Sequence, residues 1–235
     1  MKSVPESISI IVAAYNEKSL IVETVEEIVR AIEGTDLDAE IVIIDDASTD
    51  GTAEFCKEAK NINPIVYYYR NTYNMGFGGV YLKGATLAKK DWYMILPGDN
   101  AYSWHSVRKM LDAVGTADIV IPFIMNIEIR DVGRRIVSKT FTWIMNKISN
   151  QTLYYYNGPV IHKAENIRKL DNITHGFAYQ AEFLCRYLWQ GGSFVQVGVD
   201  VQESEGRKSN ALQLKNVISV VYTLMRLIYQ KVFPG

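Results

Sequence analysis

Carboxylates at the ends of apolar runs are the first places in this sequence where chemistry could sit. Ile41-Val42-Ile43-Ile44 is β-branched and reads as a strand buried on both faces, yet it stops at two adjacent acids, Asp45 and Asp46. Charges cannot stay in such a core, so these two mark the strand's carboxyl end, where open α/β sheets place their ligand crevice. A second apolar run, Asp91 to Leu96, is broken by Pro97-Gly98 and leaves Asp99 at its tip. One or two carboxylates suffice to bind a Mg²⁺ or Mn²⁺ ion that carries a diphosphate, because phosphate oxygens and water complete its shell. The same aspartate would equally serve as the cap of a helix starting near Ser103. Glu182 is a further acid, on a largely apolar helical stretch with Phe183, Leu184, Tyr187 and Leu188, where burial would raise its pKa and suit it to proton transfer or to orienting a ligand.

Strand–tip–helix units must position these groups. Ser7 to Ala14 is a first strand, its polar tip is Tyr15-Asn16-Glu17, and Leu20, Val22, Val25, Ile28, Val29 and Ile32 follow at helical spacing. With Glu40 to Lys60 this makes a βαβα run, whose parallel crossover brings Tyr15–Glu17 and Asp45–Asp46 to one sheet edge. Asp50-Gly51-Thr52 suits the start of the second helix. Ile65 to Tyr69 is a third strand, and Asn74, Gly76, Gly78 and Gly79 lie between it and a helical run from Val80 to Ala88. Glycines there allow a phosphate close to helix N–H groups, although they also fit a bare helix start. The spacing is neither the G-x-G-x-x-G fingerprint nor a P-loop.

Composition sets the bounds. The chain has 235 residues, 48% of them hydrophobic, and a formal net charge of −1, so one α/β domain over 1–235 is expected and a broadly basic nucleic-acid surface is not. Cys56 and Cys185 stand far apart without metal-ligand spacing, as in a reducing, cytosolic setting. Residues 1–6 are short and polar, without the apolar core of a signal peptide.

Basic and aromatic residues dominate the second half. Asp118 to Phe123 reads as a strand; Arg130 to Arg135 then precedes an amphipathic helix with Phe141, Trp143, Ile144, Met145 and Ile148, suited to a bilayer headgroup boundary or to a buried helix face. Tyr154-Tyr155-Tyr156-Asn157-Gly158 forms an aromatic turn, and His162 is either a phosphate contact or a packed residue. A strand over Ser193–Val201 leads to the charged segment Glu203–Ser209. Leu212 to Phe233 carries Lys215, Arg226 and Lys231 and no acid. Arg226 interrupts its apolar run too early for a membrane span, so it is expected to lie on an anionic membrane surface, with core packing or a homodimer as the alternatives.

Four ordered motifs carry a resemblance: Ile-Val-Ala-Ala-Tyr-Asn-Glu (Ile11–Glu17), Asp-Asp-Ala-Ser-Thr-Asp-Gly-Thr (Asp45–Thr52), Asn74-x-Gly76-x-Gly78 and Leu-Pro-Gly-Asp-Asn (Leu96–Asn100). Together they resemble the nucleotide-sugar half of a family 2 glycosyltransferase with the GT-A fold, a Rossmann-like, mostly parallel sheet flanked by helices, here with C-terminal amphipathic helices. The resemblance implies that residues 1–100 bind the donor, 101–211 the acceptor, and 212–235 form the interfacial helix. It implies that Ala14, Tyr15, Glu17 and Asp46 line the base and ribose, with Asn74, Gly76, Gly78 and Gly98 in the donor loops. Asp99 would be the surviving metal carboxylate of the family's Asp-x-Asp motif, whose first aspartate is replaced by Pro97. Arg134-x-x-x-Ser138, with Lys139, is similar to the acceptor-phosphate contacts of the polyprenyl-phosphate branch, which includes dolichol-phosphate mannosyltransferase. Gln180 and Glu182 would serve the same side of the site. The segment around Arg207 and Lys208 resembles that branch's phosphate-closing loop, in imperfect register. The implied activity is inverting, metal-assisted sugar transfer from UDP or GDP to polyprenyl phosphate or another membrane-associated acceptor on the cytoplasmic face. A soluble saccharide acceptor and a catalytically weakened nucleotide-sugar-binding partner are the alternatives.

Overall fold

Apolar runs alternating with amphipathic stretches give strands β1 (Ser7–Ala14), β2 (Asp38–Asp45), β3 (Val66–Arg70), β4 (Trp92–Pro97), β5 (Ile119–Ile124), β6 (Ile161–Lys163) and β7 (Phe194–Val199). Helices α1 (Ile21–Ile32), α2 (Thr52–Lys60), α3 (Gly76–Leu87), α4 (Trp104–Leu111), α5 (Val132–Ser149), α6 (Ala164–Arg168), α7 (Tyr179–Leu188) and α8 (Leu214–Val232) connect or follow them. The computed structural model describes residues 6–169, 174, 176, 178–202 and 214–233. The strands form one sheet in the order β3-β2-β1-β4-β6-β5-β7. The pairs β1/β2, β2/β3, β1/β4 and β5/β7 are parallel, and β6 runs antiparallel to both β4 and β5.

Strand alternation divides the core into two layers. Ile8, Ile10, Val12 and Ala14 of β1 face α1, α2 and α4, while Ile11 and Ala13 face the side covered by α3, α5, α6 and α7. Both faces of β2 are buried from Ala39 to Asp45, as its β-branched run requires. The chain steps from β1 outward to β2 and β3, then returns to β4 on β1's other side. This reversal makes the carboxyl end of β1 a topological switch point, where such sheets place ligands.

Two elements depart from the sequence expectation, and one open reading is decided. The third helix begins at Gly76, not Val80, because an aspartate from another loop binds its first amides. The helix expected from His175 runs from Tyr179 to Leu188, while His175 itself lies outside the described residues. His162 is inside β6 and fully buried, which is the packed one of its two sequence readings.

Helix α8 is inverted relative to an ordinary surface helix. Thr223 and Leu227 are buried, and Asn216, Ser219, Arg226 and Gln230 share their face at three- and four-residue spacing. Ile218, Val221, Tyr222, Met225, Ile228, Tyr229 and Val232 point outward, with Tyr222, Met225 and Tyr229 at 66%, 65% and 64% exposure. No helix among the described residues is long and apolar enough to cross a membrane.

Candidate active site

Register fixes where the sequence-predicted acids meet. Ala14 pairs with Asp45 across β1/β2, and Ala13 pairs with Pro97 across β1/β4. The next amides continue both ladders: Asp46 N–H donates to Ala14 O at 2.8 Å and Gly98 N–H to Ala13 O at 2.8 Å. Asp46 and Asp99 therefore flank the end of one strand. With neighbouring strands about 4.8 Å apart, the tips of β2 and β4 lie about 10 Å from each other, the width of a single crevice. Gly98 is what allows this closeness, since a Cβ there would lie 3.1 Å from Ala13 O and 3.0 Å from Ile21 Cδ1. It packs the tip and is buried, as is Ala14; Tyr15 is exposed beside them.

The tips of β1 and β2 are laced together. Asn16, in the left-handed region at φ 59°, donates its amide to Ser48 Oγ at 3.0 Å and accepts from Thr49 N at 2.9 Å through Oδ1. Glu17 N donates to Thr52 Oγ1 at 2.8 Å. Asp45 is turned inward, accepting from Ser48 N at 2.9 Å and pairing with Arg70 Nε at 3.3 Å.

Asp46 differs from its expected role. Its buried carboxylate accepts from Asn71 Nδ2 at 2.7 Å, from Met75 N at 2.9 and 3.1 Å and from Gly76 N at 2.8 Å. Lys83 in turn donates to Asn71 Oδ1. The anion favoured by the start of α3 is thus the protein's own aspartate, and the Gly76 amide expected to meet a phosphate is already bonded. Gly76 adopts φ +70°, which places its N–H toward Asp46, while Gly78 is buried inside the helix. Asn74 remains exposed and ties its Nδ2 to Asp46 O at 3.3 Å. Asp46 thus ties the segment that opens α3 to the sheet edge.

Asp99 is half-buried, and loss of hydration raises its carboxyl above the ordinary aspartate range, against the lowering effect of the Ala101 amide at 3.3 Å. It does not cap the next helix: Ser103 does, accepting from Ser106 N. Beside it, Asn100 adopts φ 52° and donates its amide to Thr24 Oγ1 at 2.9 Å. Its Oδ1 is buried with no hydrogen-bond partner among the described residues. A carboxylate next to an unsatisfied buried amide oxygen is an all-oxygen donor set that fits a hard divalent ion needing few protein ligands. No group of three His, Cys, Asp or Glu side chains suited to a metal occurs among the described residues.

The second half of the chain closes on the same tip. Gln202 N donates to Ala101 O at 2.9 Å, and Asn126 clamps Val201 from both sides, Nδ2 to its carbonyl at 2.8 Å and Oδ1 from its amide at 3.0 Å. The turn after β5 is thereby stitched to the Asp99 loop. Asp131 caps α5, accepting from Arg134 N at 2.8 Å. Arg134 and Ser138 stand on the stripe that continues through Phe141 to buried Met145 and Ile148, whereas Lys139 is exposed on another face. Arg130 donates from Nη1 to Tyr155 Oη at 3.1 Å, its guanidinium 5.8 Å from that ring. Burial raises the pKa of the Tyr102 phenol, the charges of Tyr155 and Asp99 add to the rise, and Arg130 opposes it. Arg130 and Tyr155 were not legible as site residues, since a basic residue before a helix and one tyrosine of three carry no distinguishing spacing. Arg207 and Lys208 lie outside the described residues, in the segment that follows Gln202.

Two expected contacts, Glu182 and Gln180, are structural instead, and His162 takes its packed reading. Glu182 is 0% exposed; Oε1 pairs with Arg226 of α8 and with Arg186 at 3.6 Å, and Oε2 accepts from Thr174 N at 3.0 Å. It ties α7 to α8 and leaves no oxygen open for proton transfer. Gln180 is buried, donating to Gly158 O and accepting from Tyr179 Oη at 3.2 Å. His162 donates from Nδ1 to Lys163 O at 2.9 Å, so Nε2 accepts from Tyr81 Oη at 2.8 Å, and burial lowers its pKa to about 4.

A mostly parallel sheet with helices on both faces and an acidic tip beyond its switch-point strand is the architecture of GT-A glycosyltransferases. The chain belongs to glycosyl transferase family 2, whose family model matches residues 9–188. It is similar to polyprenol monophosphomannose synthase of Mycolicibacterium smegmatis, 24% identical over 220 residues, 83% of this chain and 77% of that protein. It is also similar to undecaprenyl-phosphate mannosyltransferase of Micrococcus luteus, 29% identical over 114 residues, 47% of this chain and 45% of that one. Several curated relatives are matched over only 33% to 45% of their length. Among solved structures, glucosyl-3-phosphoglycerate synthase of Mycobacterium tuberculosis, in complex with Mn²⁺, UDP-glucose and phosphoglyceric acid, superposes with a TM-score of 0.75. That match has 15% identity and covers 95% of this chain and 80% of the other, a likeness of fold.

Proposed function

We propose that this glycosyltransferase moves a sugar, with inversion, from a UDP or GDP sugar to a polyprenyl phosphate or another membrane-associated acceptor. What supports the reading is that Asp46 and Asp99 flank the carboxyl end of β1, with the segment after β7 bonded to the Asp99 loop through Gln202 and Ala101. Asp99, with Asn100, would hold a Mg²⁺ or Mn²⁺ ion, and such an ion supplies charge neutralisation at the departing diphosphate. The protein's own part is to orient the donor between the laced tips of β1 and β2 and to bring the acceptor against its sugar. The named activities of the M. smegmatis and M. luteus relatives support a lipid-phosphate acceptor. The replacement of the first motif acid by Pro97 supports a second reading, a nucleotide-sugar-binding partner of low turnover. Release of nucleoside diphosphate from a panel of UDP and GDP sugars, with and without Mn²⁺ and a short polyprenyl phosphate, separates the two. Transfer requires release that rises with both; donor binding without release at any combination favours the second.

The outward face of α8 supports a peripheral position on the cytoplasmic face of the membrane. Its apolar residues point away from the protein while Lys147 of α5 and Lys231 are exposed nearby, the pairing of apolar and basic groups that suits an anionic headgroup layer. The inward Arg226–Glu182 pair holds the helix in that orientation.

A further inference from the structure

Resting on the metal-assisted reading, we infer that Thr24 of α1 is a positioning residue: it holds Asn100 so that the Asn100 amide oxygen joins Asp99 in binding the divalent ion, in place of the acid absent at Pro97. Three α1 side chains, spaced three residues apart along the helix, grip successive points of the segment between β4 and α4. Ile21 packs on Gly98, where an added Cβ would lie 3.0 Å from Ile21 Cδ1. Thr24 Oγ1 accepts from Asn100 N at 2.9 Å, and Glu27 Oε2 accepts from Trp104 N at 2.6 Å. Helix α1 is therefore a splint for the tip that carries Asp99.

The Thr24 hydroxyl has one proton, and it goes to Leu20 O at 2.8 Å, the bond a helical threonine makes to the preceding turn. Its lone pairs are left for a donor outside the helix, and the Asn100 amide takes one. Thr24 is 5% exposed and Asn100 7%, so little water competes for that bond. Asn100 stands in the left-handed region at φ 52°, a conformation that a residue with a Cβ keeps when its surroundings hold it there. Its Oδ1 is buried and finds no donor among the described residues, an unfavourable state that a hard cation shared with Asp99 relieves. Without the Thr24 bond the same asparagine can relax to an ordinary turn and carry its oxygen to solvent. Ion affinity then falls although no ligand has been removed.

The test titrates the full chain with Mn²⁺ and follows loss of the free-ion electron paramagnetic resonance signal, in separate series without nucleotide, with UDP and with GDP. Thr24→Val keeps the shape of the side chain but loses the acceptor. It should weaken Mn²⁺ binding about 3- to 10-fold, the loss of one hydrogen bond, with UDP or GDP affinity in EDTA changed less than about 2-fold. Thr24→Ser keeps the oxygen and should stay within about 2-fold of wild type. Asn100→Gly adopts the same backbone without the amide oxygen and should also weaken Mn²⁺ binding. Adding Thr24→Val to it should cost less than about 2-fold more, because the side chain through which Thr24 acts is gone. Circular dichroism checks that each variant is folded, and Thr24→Ala takes the place of Thr24→Val if that one is not. Wild-type Mn²⁺ affinity in folded Thr24→Val or Asn100→Gly, an equal loss of metal-free nucleotide affinity, or an undiminished effect of Thr24→Val in the Asn100→Gly background overturns the inference while leaving Asp99 as a metal ligand. A wild-type chain that binds no Mn²⁺ in any series overturns the metal-assisted reading and this inference with it.

Discussion

Removing the charge of Glu182 should unseat α8 rather than abolish proton transfer. Glu182 is fully buried and is bonded at both oxygens, to Arg226 and Arg186 on one side and to Thr174 N on the other. Breaking a fully buried pair by removing one partner costs about 3–5 kcal/mol. The two arginines are 25% and 21% exposed and can recover some hydration, so Glu182→Gln should lose less, about 2–3 kcal/mol. For a chain of this size that lowers Tm by about 4–10 °C. Arg226→Gln should cost a similar amount, and the double variant should lose less than the sum by about 1–2 kcal/mol, the signature of direct coupling. Urea melts of the four proteins measure this cycle, and the pH profile of kcat in Glu182→Gln supplies the check on chemistry. Unchanged stability together with loss of one limb of that profile would mean that Glu182 is the base and that its partners are incidental.

Other outcomes follow from the same geometry. Asp46→Asn puts an N–H₂ group among amide donors, and should cost about 2–3 kcal/mol and raise the donor KM more than it lowers kcat, read by urea melts and initial rates. His162 is buried in the neutral form with its pKa lowered from 6.5 to about 4. The unfolded chain therefore binds more protons below pH 6.5, and this residue should withdraw about 3 kcal/mol of stability as pH falls from 6.5 to 4, with no further loss below that. His162→Phe should flatten that part of a stability–pH curve. Met225→Asp with Tyr229→Asp should abolish flotation with anionic liposomes while Tm changes by less than about 3 °C, because both side chains point away from the fold. Flotation equal to wild type would remove α8 from membrane binding.

The donor half was legible because its signals are local. Ile41–Ile44 ending in two acids, and Pro97-Gly98 ending β4, announce strand ends by chemistry that needs no knowledge of distant partners. Parallel crossovers then force the tips onto one edge, as the register of β1 with β2 and β4 bears out. Direction of side chains was not legible. Asp46 reads as a ligand contact until α3's first amides are seen to fill its carboxylate, a contact set by the path of the loop between β3 and α3. Glu182 and Gln180 likewise sit on an apolar helix in either role, and only the position of α8 and of Gly158 decides it. Arg130 shows the reverse failure: its meeting with Tyr155 joins two segments with no common pattern.

Mn²⁺-dependent release of nucleoside diphosphate by wild type and by Asp99→Asn is the measurement nearest the central claim, with circular dichroism confirming that both are folded. Release should rise steeply with Mn²⁺ in the wild type and fall about 100-fold or more in the variant, as expected for losing the group that anchors leaving-group charge. Equal, Mn²⁺-stimulated release by Asp99→Asn would contradict the account.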